Sequence, residues 1–313
     1  MSKSGPGKSH QEGMSLLDAM RMFSSNEVAE KWFTEQRWPN GLECPNCGSG
    51  RIQEKTKHPT MPHRCRDCRK YFSVKTGSVM EGSNLGFQTW AIAICLLATS
   101  LKSVSSMKLH RDLGITQKSA WHLAHRIRET FLDPAPDMFE GPVEVDETYM
   151  GGKRRSMPNS KRKQLTGRGT AGKTAVVGMK DRLSNGVTAK VVQSTDVTTL
   201  DDFVESNTAE DAKVYTDDSS SYFSVDRDRE TVNHSKGEYV RGEADTNGVE
   251  SFWSMLKRAY KGTFHKMFPQ HLQKYVTEFA VKHSIRESDI IDQMAIIAAS
   301  MRDKKLRYKD LVG

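Results

Sequence analysis

The 313 residues allow two domains, or one with appendages, and a hydrophobic content of 36% can still fill a core of ordinary size. With 47 Lys and Arg against 39 Asp and Glu, the net charge of +8 biases the chain toward a polyanionic partner such as nucleic acid. The longest apolar run, Trp90 to Thr99, is about half the roughly 20 residues that span a bilayer, so no membrane partner is expected.

Residues 1–14 open on Met-Ser-Lys-Ser-Gly-Pro-Gly-Lys-Ser-His. Without an apolar stretch this reads as a disordered lead and not as a signal peptide. Residues 15–38 carry apolar side chains from Leu16 to Phe33 at helical spacing, with a break near Ser24-Ser25-Asn26, and predict one or two short amphipathic helices. Residues 39–82 hold four of the five cysteines. Cys44-Pro-Asn-Cys47 and Cys65-Arg-Asp-Cys68 are separated by 17 residues, the spacing of a zinc ribbon in which two tight knuckles direct four thiolates at one structural Zn2+. His63 is a substitute ligand, and Arg64, Arg66, Arg69 and Lys70 add a basic edge able to meet phosphate. Cys95, inside the apolar run, reads as core.

Residues 85–133 return to a helical pattern. Met107, Leu109 and Leu113 precede Gly114, and Thr116 stands as N-cap to a second helix ending at Arg128, which reads either as a helix-turn-helix or as an ordinary helical hairpin. In the first case Gln117, Lys118, Ser119, His122 and Arg126 are the candidate DNA contacts. Pro134-Ala-Pro136 marks a linker.

The second half, residues 140–288, changes to short β-rich runs at Gly141 to Tyr149, Lys173 to Lys180, Gly186 to Val192 and Ala212 to Thr216, with an amphipathic stretch from Thr198 to Asn207 before the last. From Asn247 onward the pattern is helical, and residues 289–313 form a helical tail. Three strands, a helix, a strand and then helices predict an α/β domain with some antiparallel pairing, within a chain that is α+β overall.

Three acids stand out in this half. Asp146 lies in Val-Glu-Val-Asp146-Glu-Thr-Tyr149, Asp217 ends Val-Tyr-Thr-Asp217, and Glu250 opens a helix at Asn247-Gly-Val-Glu250-Ser-Phe-Trp253. Carboxylates at the ends of buried strands are well placed to share a divalent metal, and in a basic chain they suggest a metal-dependent nuclease. Alternation puts Glu144 on the face of Asp146, as its nearest rival, and Glu147 on the other. Asn247, Glu250 and Lys257 share one helix face, where Lys257 can grip a phosphate beside the metal. Asp218 reads as a turn residue. Between the strands, Lys153, Arg154, Arg155, Lys161, Lys163, Arg168 and Lys173 make a Gly-rich basic loop, either a soluble hairpin tip or a phosphate clamp.

Taken in order, the two CxxC pairs, Ala120-Trp-His-Leu-Ala-His-Arg-Ile-Arg128, Val143-Glu-Val-Asp146-Glu-Thr-Tyr149-x-Gly-Gly152, Tyr215-Thr-Asp217 with Tyr222 and His234, and Asn247-x-x-Glu250-Ser-Phe-Trp253-x-x-Leu-Lys257-Arg258 resemble bacterial insertion-sequence transposases of the Merlin-related, ISXO2-like group. The resemblance spans Ser15 to His283. It implies an RNase H-like DDE core in which Asp146, Asp217 and Glu250 hold two Mg2+ or Mn2+ ions, with Asn247 as a secondary candidate for the third ligand and Lys257 as the basic partner. It further implies binding to double-stranded DNA, both the terminal inverted repeats and the target, in a homodimer or larger synaptic assembly, and a cytoplasmic, nucleoid-associated location. The group often has His two residues before the Asn; here that residue is Asp245, a further acid that could compete for metal or pair with a base. The alternatives are a DNA-binding regulator whose acids are only scaffold, and a nuclease that never joins strands.

Overall fold

The computed structural model describes residues 12–131, 138–152, 154–165, 169–217, 220–222, 224–232 and 245–313. The chain divides into two compact units, residues 1–132 with 286–313, and residues 133–285. The Pro134–Pro136 linker, Lys153, Arg168 and His234 lie outside the described residues.

The first unit begins with helices α1 (Leu16–Met22) and α2 (Asn26–Arg37). Each starts where a serine side chain, Ser15 or Ser25, accepts a backbone N–H three residues on, the usual N-cap economy. Strands β1 (Ile52–Gln53), β2 (His63–Cys65) and β3 (Tyr71–Phe72) form a small antiparallel sheet. Helix α3 (Phe87–Thr99) is the expected core helix, with Trp90, Ile94 and Leu97 fully buried. Helix α4 (Ser106–Leu113) ends at Gly114, whose φ of +63° a glycine adopts without strain, and α5 (Gln117–Thr130) starts from the Thr116 cap. Residues 289–313, read from sequence as a helical tail, fold into this unit together with residues 286–288. Val79 N donates to Met301 O at 3.1 Å and Asp303 N to Gly77 O at 2.9 Å.

The second unit is built on a five-stranded sheet. Its strands are β4 (Val143–Met150), β5 (Thr174–Asp181), β6 (Val187–Val192), β7 (Lys213–Asp217) and β8 (Asp228–Val232), in spatial order β6-β5-β4-β7-β8. β4, β5 and β6 form an antiparallel meander, whereas β7 and β8 run parallel to β4. Between β4 and β5 the basic segment forms a 3-10 turn, Arg154–Ser156, and a short helix, α6 (Asn159–Gln164). Helix α7 (Val197–Glu205) crosses from β6 to β7, and α8 (Asn247–Ala259), a π-helical turn (Tyr260–Phe264) and α9 (Pro269–Ser284) follow the sheet.

Alternation along β4 assigns its two faces. Val143 and Val145 pack with Val177, Met179 and the α7 residues Leu200, Phe203 and Val204. Met150, with Val176 and Ala189, packs under Phe252, Trp253 and Leu256 of α8 and Val276 and Phe279 of α9. The sheet is therefore covered by helices on both faces, the α/β arrangement expected from the element order, and Glu144, Asp146 and Thr148 belong to the face that carries α8.

Candidate active site

Three elements converge on Asp146. β4 pairs with β7 in parallel, Val143 opposite Val214 and Glu144 opposite Tyr215, and continuing that register by two residues sets Asp217 beside Asp146. On its other side Asp146 pairs with Gly178 of β5. A Cβ at Gly178 would lie 2.5 Å from the Trp253 ring, so the missing side chain is what admits Trp253, and α8 with it, onto the sheet at this point. Glu250 sits one helical turn before Trp253, exposed in the first turn of α8, where the helix dipole favours a carboxylate.

The electrostatics agree with this convergence. Burial first, then the charge of Glu147, with further repulsion from Asp217 and Glu250, pushes the Asp146 carboxyl up to about 7. Glu147 itself is raised by burial and by Asp217, against the opposing hydrogen bond from Tyr222. The Tyr222 hydroxyl donates to Glu147 Oε2 at 2.5 Å, and its ring is fully buried. Hard carboxylate oxygens whose charges repel one another suit a divalent cation of the Mg2+ or Mn2+ type, which would relieve that repulsion.

Glu144, the expected rival of Asp146, is committed elsewhere. It is 3% exposed, its Oε2 accepts the Val249 N–H of α8 at 2.9 Å, and its Oε1 accepts from Arg182 Nε at 2.8 Å. Arg182 also pairs with Asp245 Oδ2 at 2.9 Å, donates to the Asp245 carbonyl at 2.9 Å, and lies 4.3 Å over the Tyr215 ring. Asp245 Oδ1 in turn accepts the Asn247 N–H at 3.1 Å. Glu144 and Asp245 thus fill the acceptor role of an N-cap for α8, and Arg182 ties the two together. Gly248 is enclosed by the same group, since a Cβ there would stand 2.6 Å from Glu144 Oε2 and 2.7 Å from Lys180 Nζ.

Two cavities adjoin these residues. One of about 490 Å3 is lined by Asp146, Glu250, Trp253, Ser254, Lys257, Arg258 and Lys261. The other, of about 840 Å3, runs from Glu147 to Gly152 and is closed by Arg154, Gly169, Thr170, Lys173, Lys257, Tyr260 and Lys261. Lys257 therefore stands where the sequence expects it, on the helix face of Glu250. Asn247 is exposed at the start of that helix, its backbone held by Asp245. Arg155 is exposed on the 3-10 turn.

In the first unit, Cys44, Cys47, Cys65 and Cys68 present Sγ atoms that all lie within 4.8 Å of one another. The closest approaches are 3.5 Å between Cys44 and Cys68 and 3.6 Å between Cys47 and Cys65. These are far from the ~2.05 Å of a disulfide and near the ~3.8 Å edge of a tetrahedron with 2.3 Å Zn–S bonds. The Cys68 N–H, aimed at Cys65 Sγ, and that of Asp67 lower the Cys65 thiol, while the neighbouring sulfurs raise that of Cys47, as expected where adjacent thiols cannot all ionise without a cation. His63 takes no part in the quartet; its ring packs 5.3 Å from Phe72 and 6.5 Å from Trp38.

The helix-turn-helix residues divide. Gln117 and Lys118 are exposed, Lys118 over the Tyr308 ring at 4.3 Å and Gln117 donating to Ser106 Oγ at 3.1 Å, while Ser119 is the N–H partner of the Thr116 cap. His122 and Arg126 depart from the expected DNA face. His122 Nε2 lies 3.2 Å from the Leu306 carbonyl, and Arg126, 8% exposed, donates to the carbonyls of Leu306 at 3.1 Å and Glu81 at 3.0 Å. A guanidinium so engaged holds residues 300–306 on α5 and is not free to meet a base edge.

Glu147, Arg182 and Gly178 were not singled out from sequence as members of the site, and Tyr222 entered only within the family motif. The adjacent acids of Asp146-Glu147 were the visible signal for the first, whereas Arg182 and Gly178 act through partners distant in the chain.

Comparison with known proteins gives three findings. Residues 138–283 match the ISXO2-like transposase domain, and residues 24–71 match the transposase zinc-ribbon domain. An uncharacterized protein in transposable element ISH50 of Halobacterium salinarum (strain ATCC 700922 / JCM 11081 / NRC-1) is 28% identical over 291 residues, covering 85% of this chain and 93% of that protein. Among the described residues no helix is long and apolar enough to cross a membrane.

Proposed function

We propose that this chain, whose residues match the ISXO2-like transposase domain and the transposase zinc-ribbon domain, is an insertion-sequence transposase that cuts DNA at the terminal inverted repeats of a mobile element and joins the freed ends to target DNA. The observation that carries this reading is that the carboxyl of Asp146, on the central strand β4, is raised not only by burial and by Glu147 but by the charges of both Asp217 on the adjacent β7 and Glu250 on α8. Asp146 and Asp217 would hold the metals from adjacent strands and Glu250 from α8, with Asn247 behind it. The chemistry expected with two Mg2+ or Mn2+ ions bound is activation of water, then of the freed 3′-hydroxyl, and stabilisation of the leaving 3′-oxygen. Glu144, Arg182 and Asp245 keep α8 seated so that Glu250 faces Asp146. Lys257, at the junction of both cavities, is placed to hold a phosphate next to the acids.

In the first unit the cysteine quartet would hold one structural Zn2+, and Gln117, Lys118 and Ser119, with the basic edge of the ribbon, would contact duplex DNA. Arg154 and Arg155, and in the segments outside the described residues Lys153 and Arg168, would contribute to a phosphate clamp. Joining two ends to one target calls for a dimer or a larger synaptic assembly, working in the cytoplasm at the nucleoid.

A plasmid integration assay with the element's own ends and Mg2+ tests the proposal. Wild-type protein should give joined products, and Asp146→Asn should give none while retaining zinc and end binding. Nicks without joining would identify a nuclease, and binding alone a regulator. Strand transfer by Asp146→Asn would overturn the assignment of the acids.

A further inference from the structure

The larger of the two cavities is not needed to hold the metal-binding acids, and its walls have a chemistry of their own. Three lysines, Lys173, Lys257 and Lys261, line it, and among the described residues none of them has a carboxylate partner. Tyr149, Met150 and Tyr260 also line it; Tyr149 packs with the α7 face of the sheet, whereas Met150 and Tyr260 pack with the α8 face. Tyr149 is fixed by its hydroxyl, 3.2 Å from Thr195 Oγ1. Tyr260 opens the π-helical turn at the end of α8, a local departure from α geometry that is frequent at functional sites. Gly151, which also lines the cavity, lies close against Lys173, where a Cβ would stand at 3.2–3.4 Å.

Cations beside the Tyr260 ring match a nucleotide, whose phosphate and base make those two demands. The volume of about 840 Å3 falls in the range of roughly 300–1,000 Å3 that takes a small ligand. A duplex lying across the cavity would present phosphate and sugar to the lysines but no base to Tyr260. Lys257 and Lys261 line both cavities, so this one adjoins the one that holds Asp146 and Glu250.

We infer that this cavity receives one unstacked nucleotide of the strand cut at Asp146, its base against Tyr260 and its flanking phosphates on Lys173, Lys257 and Lys261. The inference rests on the proposed DNA-cutting role of the acids and adds a requirement that the role alone does not: the base next to the cut leaves the helical stack. Unstacking costs least where the base is already unpaired, so unpaired DNA should enter more readily than paired DNA.

The test uses full-length Asp146→Asn protein, which should leave the DNA uncut, and short duplexes carrying a single 5-iodouracil either fully paired or in a 3′ overhang. After irradiation, mass spectrometry should find the unpaired base joined to the peptide containing Tyr260, and the paired base should give little of that product. Tyr260→Ala should weaken overhang binding by about fivefold or more, the lower end of what one base–aromatic stack contributes, and Tyr260→Phe should not. Lys261→Ala, an exposed change that keeps the fold, should lower the salt dependence of overhang binding by about 0.7 in log–log slope. Crosslinks that ignore pairing, or that fall outside residues 147–173 and 257–261, would overturn the inference, as would overhang affinity that both variants leave unaltered. The integration assay reports separately on the acids. Joined products without the Tyr260 crosslink refute the cavity assignment alone; the crosslink without cleavage refutes the cutting role alone.

Discussion

Replacing Asp146 by asparagine is expected to make the metal-free protein more stable while removing its activity. In the folded chain this carboxyl titrates at about 7 instead of its ordinary 3.8, because burial and then the charges of Glu147, Asp217 and Glu250 disfavour its ionised form. At ~1.4 kcal/mol per pH unit the difference amounts to about 4 kcal/mol as an upper figure. A raised carboxyl pKa favours the folded state while the group is protonated. That contribution is complete below about 3.8 and is lost as pH rises toward about 7, so the wild-type second unit carries the full cost of burying and crowding this charge at pH 8. Asparagine is neutral throughout and keeps nearly the same shape. The variant should therefore match wild type near pH 4 and exceed it progressively up to pH 8, by as much as about 4 kcal/mol.

Urea titration in EDTA, read by hydrogen exchange of peptides from β4 and β5, isolates this unit from the rest of the chain. Adding Mg2+ or Mn2+ should stabilise the wild type by mass action and the variant much less. A variant no more stable than wild type at pH 8 in EDTA would refute the idea that these acids form one mutually repelling cluster.

Gly178→Ala should force apart β5 and α8, since the new Cβ would meet the Trp253 ring at 2.5 Å; a loss of about 1–3 kcal/mol by urea titration is expected from overpacking of this kind, together with loss of DNA cleavage at unchanged zinc content. Cys65→Ser, or a strong chelator, should remove zinc by metal analysis and loosen β1–β3 in hydrogen exchange while leaving the five-stranded sheet protected. Arg126→Ala and Lys118→Ala should separate stability from DNA contact. The first should lower the melting temperature because the Leu306 and Glu81 carbonyls lose their donor, whereas the second should reduce the salt slope of duplex binding by about 0.9 with melting unchanged.

Much of the second unit was legible because its strands are regular. Val143 to Tyr149 alternates with period two, and the sheet face so deduced is the one Asp146 occupies. β8 was not anticipated. Asp228-Arg-Glu-Thr-Val232 carries charge in place of an apolar face, as a strand at the edge of a sheet often does. Asp217 was legible as the acid ending an apolar run, but its neighbour Asp146 follows only from the parallel register of β4 and β7. Arg182 lies in the turn after β5 with partners 38 and 63 residues away, and no local pattern marks it. Gly178 carries no local signal in the run Lys173 to Lys180; its role as the opening that seats Trp253 depends on a residue 75 positions away. Arg126 was placed on the DNA face because helical periodicity gives a face without saying what covers it. Its cover, the Leu306 carbonyl, is 180 residues further along.

Asp245 was the acid whose role the sequence left open, and its geometry turns it from a competitor for metal into part of the support for Glu250. Its carboxylate pairs with Arg182, whose other arm meets Glu144, and both carboxylates accept N–H groups from the first turn of α8. The Glu144 side chain is 5% exposed, against 24% for Asp245, so the two are not equivalent. Removing Arg182 leaves a buried charge without its cation, which costs roughly 3–5 kcal/mol, whereas the half-buried Asp245 pair should be worth far less. Arg182→Ala should therefore expose the start of α8 to hydrogen exchange and weaken Mn2+ binding through Glu250. Adding Glu144→Gln to it should recover part of the loss, because an amide oxygen still accepts the Val249 N–H without needing a cation. Asp245→Ala alone should change Mn2+ affinity little. If it instead abolished Mn2+ binding while α8 stayed protected, Asp245 would be a ligand after all, and the support assigned to Arg182 would have to be given up.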